Sequence, residues 1–306
     1  MSACVRVELN DTIVKNELFE LLKCKMKKQR TVSFSGEFQQ VKVICDKDMF
    51  KFPLGVKISL SRGLLFIADS TISHNQIQIY CLQREQFVNT IKLRYHPRYF
   101  DLCDEKDFLI VGCTDHCVYR VDLNSLAVVW SSGTFRVFGD ELHQFNFPMG
   151  IAIDRFGQLA YVCDMNNNRI QVLNTTNGLV LKSLICDEEL QVPWGITINN
   201  HGDLIVTEVN HNRIRVISRE DGKELYRFGS LGNDKGELRG PVAVIFDRKS
   251  CNILVCDSSR IQTFAESGLF LSSSQPIGGC FGMCMDEEKG ILFVSQNMNH
   301  AVGVYK

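Results

Sequence analysis

The sequence predicts an all-β protein, a six-bladed β-propeller, and three observations carry that prediction. Asp164-Met165-Asn166-Asn167-Asn168-Arg169-Ile170-Gln171-Val172-Leu173 returns forty-four residues later as Glu208-Val209-Asn210-His211-Asn212-Arg213-Ile214-Arg215-Val216-Ile217. Each copy follows a Pro-x-Gly turn and a β-rich run, Pro148-Met149-Gly150-Ile151 in one and Pro193-Trp194-Gly195-Ile196 in the other. The last unit is one strand short, and a segment near the N-terminus matches the missing piece. A fixed period near forty-five residues with several short strands per unit marks a repeat architecture.

The Pro-x-Gly position sets the units in order. Pro53-Leu54-Gly55 opens the first and a degenerate Pro97-Arg98-Tyr99 the second. Pro148 and Pro193 open the third and fourth, Gly240-Pro241-Val242-Ala243 the fifth, and Cys280-Phe281-Gly282 a sixth without its proline. The intervals are 44, 51, 45, 48 and 39 residues. Within the fourth unit, Gly195–Asn199 and Leu204–Thr207 flank Asn200-His201-Gly202-Asp203, whose Asn and Gly tolerate positive φ. Arg213–Ser218 and Glu224–Phe228 follow, joined through Glu220-Asp221-Gly222. Four short, β-branched strands per repeat describe a propeller blade, and no 3.6-residue periodicity supports helical repeats.

In the sixth unit Ile291–Ser295 and Ala301–Tyr305 follow the opening strand, and the chain then stops at Lys306. Upstream, Gly36–Asp46 resembles Gly178–Asp187 of the third unit. The N-terminal segment is therefore expected to supply the outer strand of the last blade, closing the ring without an unpaired edge. Residues 1–30 stand outside the repeat as an N-terminal extension, and residues 31–306 form the propeller. Asn10 or Asp11 caps an expected short helix running to about Lys28, with Ile13, Leu18, Leu21, Leu22 and Met26 apolar. Lys25, Lys27, Lys28 and Arg30 complement its C-terminal dipole, or form a basic arm for an acidic partner.

These residues resemble the NHL-repeat propellers. The resemblance rests on Asp164…Asn166…Asn168-Arg169-Ile170, Glu208…Asn210…Asn212-Arg213-Ile214, Asp69…Asn75-Gln76-Ile77 and Asp257…Arg260-Ile261. It covers roughly residues 31–306 and is poorest in the second unit, where Val111-Gly112-Cys113-Thr114-Asp115-His116-Cys117-Val118 lacks the Asn-x-Arg-Ile core. What the resemblance implies is a recognition scaffold: relatives often carry a RING or tripartite-motif region upstream and use the propeller to choose a target, a protein or in some cases RNA. Were ubiquitin transfer involved, this chain would supply substrate recognition and a partner the ligase.

Composition bounds the reading. The chain is 45% hydrophobic and 23% charged with a net charge of −1, so no bulk field draws it to DNA or an anionic membrane. No apolar run is long enough to cross a bilayer and no signal-peptide core opens the chain, so the thirteen cysteines indicate a reducing, cytoplasmic compartment. None stands in a Cys-x-x-Cys pair, so no RING or zinc-ribbon framework can be assembled from them. Cys163 and Cys256, in matched Val-Cys-Asp positions, read as small buried strand residues, and the Cys113, His116, Cys117 cluster as a packed strand end rather than a metal site.

Candidate binding residues follow from the architecture. Loops joining second and third strands share one face with the connections into each innermost strand, so a ligand is expected there. Asp164, Asn168, Arg169, Asn212 and Arg213 keep the repeat and are assigned first to the loop scaffold, because Asn and Asp bond nearby backbone. Residues that break the pattern are the partner-binding candidates. Trp194 fills the x of Pro-x-Gly, either anchoring a peptide or base or plugging the channel. Tyr95, His96, Arg98 and Tyr99 belong to the basic, aromatic segment Arg94-Tyr95-His96-Pro97-Arg98-Tyr99, suited to an acidic peptide or to single-stranded RNA. Asn210, His211 and His300 lie in equivalent loops and can add donors. No Gly-x-Ser-x-Gly elbow, Walker loop or His-Glu-x-x-His occurs, so no catalytic residue, cofactor or metal is expected. A metal-dependent lyase or lactonase-like propeller is the enzyme alternative; it needs inward ligands that the seven histidines do not supply in register.

Overall fold

The computed structural model describes residues 38–44, 50–71, 74–257 and 260–306, and these form six four-stranded antiparallel sheets in a ring. The first strand, β1 (Gln40–Ile44), precedes the first complete blade. Blade one is β2 (Pro53–Ser59), β3 (Leu64–Thr71), β4 (His74–Cys81) and β5 (Gln86–Lys92). Blade two is β6 (Pro97–Cys103), β7 (Phe108–Cys113), β8 (Val118–Asp122) and β9 (Val128–Ser132). Blade three is β10 (Pro148–Ile153), β11 (Leu159–Asp164), β12 (Arg169–Asn174) and β13 (Val180–Leu184). Blade four is β14 (Pro193–Ile198), β15 (Leu204–Glu208), β16 (Arg213–Ile217) and β17 (Glu224–Phe228). Blade five is β18 (Pro241–Asp247), β19 (Asn252–Asp257), β20 (Arg260–Ala265) and β21 (Phe270–Ser273). Blade six begins with β22 (Cys280–Asp286), β23 (Ile291–Gln296) and β24 (Ala301–Tyr305).

The fourth strand of blade six is β1, paired antiparallel with β24 from Gln40↔Tyr305 to Ile44↔Val302. Reciprocal backbone bonds between Gln39 and Lys306, 3.0 and 3.1 Å, extend the ladder to the chain's last residue. The ring is thus closed as the short last repeat requires. The helix expected up to Lys28 and its basic cluster lie outside the described residues.

The core sits in the seams between blades. Six clusters of buried side chains each join one blade to the next: Phe66 and Ile77 meet Leu109 and Val111 between blades one and two, and Ile44 and Val302 meet Val56 and Leu65 where blade six meets blade one. Middle strands face a neighbouring blade on both sides, so they read as continuous apolar runs, and β7 (Phe-Leu-Ile-Val-Gly-Cys) is buried at every position. Outer strands face solvent, which leaves Val41, Val88, Val129 and Leu181 exposed.

Each innermost strand starts with a register shift at the Pro-x-Gly turn, between Pro148 and Ile151 in blade three and between Pro193 and Ile196 in blade four. Proline offers no N–H to the ladder, so it suits this irregular first position. The glycine is there because the next blade comes too close for a side chain. A Cβ on Gly150 would lie 2.3 Å from the Trp194 carbonyl oxygen, and one on Gly282 2.3 Å from that of Leu54. Blade two puts Tyr99 in this column, and Gly112 of β7 takes the close approach instead, its would-be Cβ 2.6 Å from the Pro148 carbonyl.

Cys163 is a buried thiol, as its matched position predicts. Cys256 is likewise fully buried in β19, as that reading expects, and its sulfur meets that of Cys280 across the seam of blades five and six, with Cα atoms 6.1 Å apart.

Candidate functional site

The loop-rich face is built first from the repeated polar residues. Opposite the first residue of the innermost strand stands a buried acid: Asp69 faces Pro53, Asp164 faces Pro148, Glu208 faces Pro193 and Asp257 faces Pro241. Each accepts a backbone N–H from the connection entering its own blade, from Phe52 (2.7 Å), Asn146 (2.6 Å), Gln191 (2.8 Å) and Arg239 (3.1 Å) respectively. Burial pushes the Asp164 carboxyl upward, and its bonds from Asn146, Asn167 and Arg169 oppose that rise.

An arginine secures the same connection. Arg169 donates to Asp164 (2.8 Å) and to the carbonyls of Asp140, Glu141 and Gln144. Arg213 pairs with Glu208 at 2.5 Å and Glu188 at 2.6 Å, and Arg260 bonds Asp257 and the carbonyls of Asn233 and Glu237. Arg213 and Arg227, which both bond it, hold the exposed Glu188 carboxyl down at about 2.

One residue in each of these loops then reaches the next blade. Asn168, at φ 52°, accepts the Val192 N–H at 3.0 Å, and Asn212, also at φ 52°, accepts the Gly240 N–H at 2.8 Å. Left-handed backbone is tolerated by Asn, which explains the residue type. Histidine takes this place in two blades. His300 bonds the Lys51 carbonyl at 2.6 Å, so its Nδ1 carries the proton. His116 accepts the Phe147 N–H on Nδ1 at 3.3 Å, and burial lowers its pKa, keeping the ring neutral. Asn210 and His211 are exposed in the blade-four loop, and His211 Nδ1 lies 3.7 Å from Glu208.

The channel mouth is closed by Tyr99 and Trp194. The Trp194 indole N–H donates to the Tyr99 hydroxyl at 2.9 Å, which donates to the Phe281 carbonyl at 2.8 Å. The rings meet edge to face, 6.4 Å between centroids, so side chains of blades two and four and backbone of blade six are tied together. Burial pushes the Tyr99 phenol far up, so it stays a neutral donor. In the channel Lys57 pairs with Asp101 at 2.9 Å, and Asp101 also accepts the Ile153 N–H. The space lined by Tyr99, Gly150, Ile196 and Met283 admits water-sized molecules over only about 40 Å³, room for a few waters.

Blade two's surroundings carry polar groups not committed to that scaffold. Arg94 lies 3.7 Å over the ring of Phe135, which meets Tyr95 edge-on at 5.3 Å, and Arg136 stands 5.8 Å from the Tyr95 ring. Two connections therefore interleave, the one entering blade two and the one entering blade three, into a ladder of guanidinium and aromatic groups. Among the described residues none of Arg94, Arg98 and Arg136 has a carboxylate partner, while Arg62, Arg169, Arg213, Arg227 and Arg260 all do. Tyr95, His96 and Arg98 are half-buried. Phe135 and Arg136 escaped the sequence reading because they lie in a long connection with no repeat register. Among the described residues no three His, Cys, Asp or Glu side chains gather as a metal-binding group, and no helix is long and apolar enough to cross a membrane.

Comparison with known proteins agrees with this architecture. Residues 190–217, which begin at the connection into blade four and end with β16, match the NHL repeat. A stretch of 90 residues is 29% identical to the Protein brain tumor of Drosophila melanogaster; it covers 28% of this chain and 9% of that protein, so the chain spans a small part of this relative. A crystal structure of a structural genomics protein of unknown function from Bacteroides thetaiotaomicron superposes with a TM-score of 0.69 at 14% identity, covering 88% of this chain and 72% of that one. That likeness is one of fold. The chain carries an NHL repeat within a six-bladed propeller.

Proposed function

We propose that the chain is a non-catalytic recognition scaffold that receives a protein partner on its loop-rich face, the contact centred on the connections into blades two and three. The observation that carries this reading is the Arg94–Phe135–Tyr95–Arg136 ladder. Most arginines of this face hold connections in place, whereas these present cationic and aromatic surface together. Such residues dominate interface energetics, because arginine and aromatic side chains bury large areas and a cation is attracted to a ring face. Exposed Phe138, on the same connection as Phe135, adds apolar surface beside them. A task in substrate selection for ubiquitin ligation fits this role, with the ligase supplied by a partner.

The test is affinity purification of the chain from its native extract, with and without RNase, comparing wild type with an Arg94→Glu/Arg136→Glu variant. Proteins that survive RNase and vanish with the variant support the proposal. Partners lost to RNase in the wild type move single-stranded RNA, the second ligand suited to cation and aromatic together, into first place.

A further inference from the structure

Beside the ladder lies a cation of a different kind. Arg98 occupies the x of the Pro-x-Gly column, the position that Trp194 fills in blade four and Leu54 in blade one. It is half-buried at the channel mouth, its Nε is fully enclosed without a hydrogen-bond partner, and among the described residues no carboxylate faces it. His96 Nδ1, two residues before it, and Asn75 Oδ1 are likewise buried without partners, though the Asn75 amide N–H approaches the Arg94 carbonyl at 3.4 Å. Three orphaned polar atoms thus gather about one five-residue segment. An enclosed guanidinium nitrogen without a partner costs stability, and a ligand that reaches the exposed end of the same group can offset that cost. Desolvation lowers the pKa of Arg98, consistent with the lack of any compensating acid.

We propose that Arg98 is an anion seat at the channel mouth, and that it takes a single carboxylate, an Asp or Glu side chain or a C-terminus, from the partner's docking segment. This deepens the recognition-face reading above and rests on it. The surrounding charges favour one carboxylate over a polyanion. Beyond the ladder, the connections into blades three, four and five carry Asp140, Glu141, Asp187, Asp234 and Glu237, besides the arginine-paired Glu188. A nucleic acid crossing the face would bring its phosphates against these acids, where its binding needs several cations in a row. A peptide can place one acid over Arg98 and an aromatic residue on the ladder, and end in basic residues over the acidic blades.

The test uses as probe a labelled peptide bearing one Glu, one Tyr and two Lys in that order, with decauridine as competitor, at about 0.15 M salt, where surface charge is screened beyond about 8 Å. Wild type is compared with Arg98→Gln and with Arg94→Glu/Arg136→Glu, and each variant's unfolding midpoint is measured. The expected result is that Arg98→Gln weakens peptide binding about tenfold or more, the worth of a charge-assisted bond. It should also melt higher than wild type, by about 2 °C or more, because an uncompensated charge has gone. Decauridine should not displace the probe.

Arg98→Gln binding like wild type while Arg94→Glu/Arg136→Glu weakens would remove the seat and leave the recognition face standing. Equal binding by all three proteins, or none by wild type, would remove both. A lower midpoint for Arg98→Gln would make Arg98 a structural contact, and displacement by decauridine would make the ligand a phosphate; either overturns the assignment.

Discussion

Replacing Tyr99 by Phe removes one oxygen atom and two hydrogen bonds that tie three alternate blades across the channel mouth. The Trp194 indole loses its acceptor at 2.9 Å and the Phe281 carbonyl its donor at 2.8 Å. Each such bond contributes about 1 kcal/mol net, and a buried group left without a partner costs about 1–3 kcal/mol. Trp194 is half-buried, so water can reach part of the orphaned N–H, and the expected loss is about 2 kcal/mol in all. For a propeller of this size that corresponds to a fall of roughly 3–4 °C in the unfolding midpoint. Thermal and urea unfolding followed by tryptophan fluorescence read it directly. Tyr80→Phe is the control: Tyr80 is 7% exposed in the seam of blades six and one, and among the described residues its hydroxyl makes no hydrogen bond. A Tyr99→Phe midpoint within about 1 °C of wild type, or equal to that of Tyr80→Phe, would refute the idea that this contact holds the mouth closed.

Three further outcomes are expected. Removing residues 31–46 takes away β1 and bares the edge of β24, so cooperative unfolding should be lost; an unchanged melting profile would contradict ring closure. Gly150→Ala sets a Cβ against the Trp194 carbonyl at 2.3 Å and should destabilise by about 2 kcal/mol, read as a lowered urea midpoint; a neutral result would mean that the two blades separate freely. His116 has a folded pKa below its ordinary value because of burial, so the unfolded chain binds more protons. Its contribution is present above about pH 6.5 and is lost as pH falls from there through the folded pKa. His116→Asn should therefore flatten the fall in stability between pH 6.5 and 5 that wild type shows, and identical pH profiles would count against the neutral Phe147 acceptor.

Much of this was legible because a repeat is a local statement made many times. The period located the blades, and the missing last strand located its replacement within Gly36–Asp46, where β1 lies. The column of Asn168 and Asn212 was visible too, and His300 follows Gln296 at the spacing by which Asn168 follows Asp164. What no repeat register contains is which side chains meet across the axis. Tyr99 and Trp194 are 95 residues apart and stand one column out of step, so their contact depends on the ring being closed. The same holds for the partnership of Arg94 with Phe135, which joins one short connection to one long one. His116 was hidden for a smaller reason: blade two's loop is one residue shorter than that of blade three, which shifts His116 out of the Asn168 column.

The central claim is that a protein partner sits on the loops around blade two. Hydrogen-exchange mass spectrometry of the chain with and without its captured partner tests this most directly. The account predicts slowed exchange confined to the segments around Arg94–Tyr99 and Gly133–Asp140, with the turns at Asn174–Gly178 and Ser218–Lys223 unchanged. Protection at those turns, with the Arg94 and Phe135 segments exchanging as in the free chain, would contradict it.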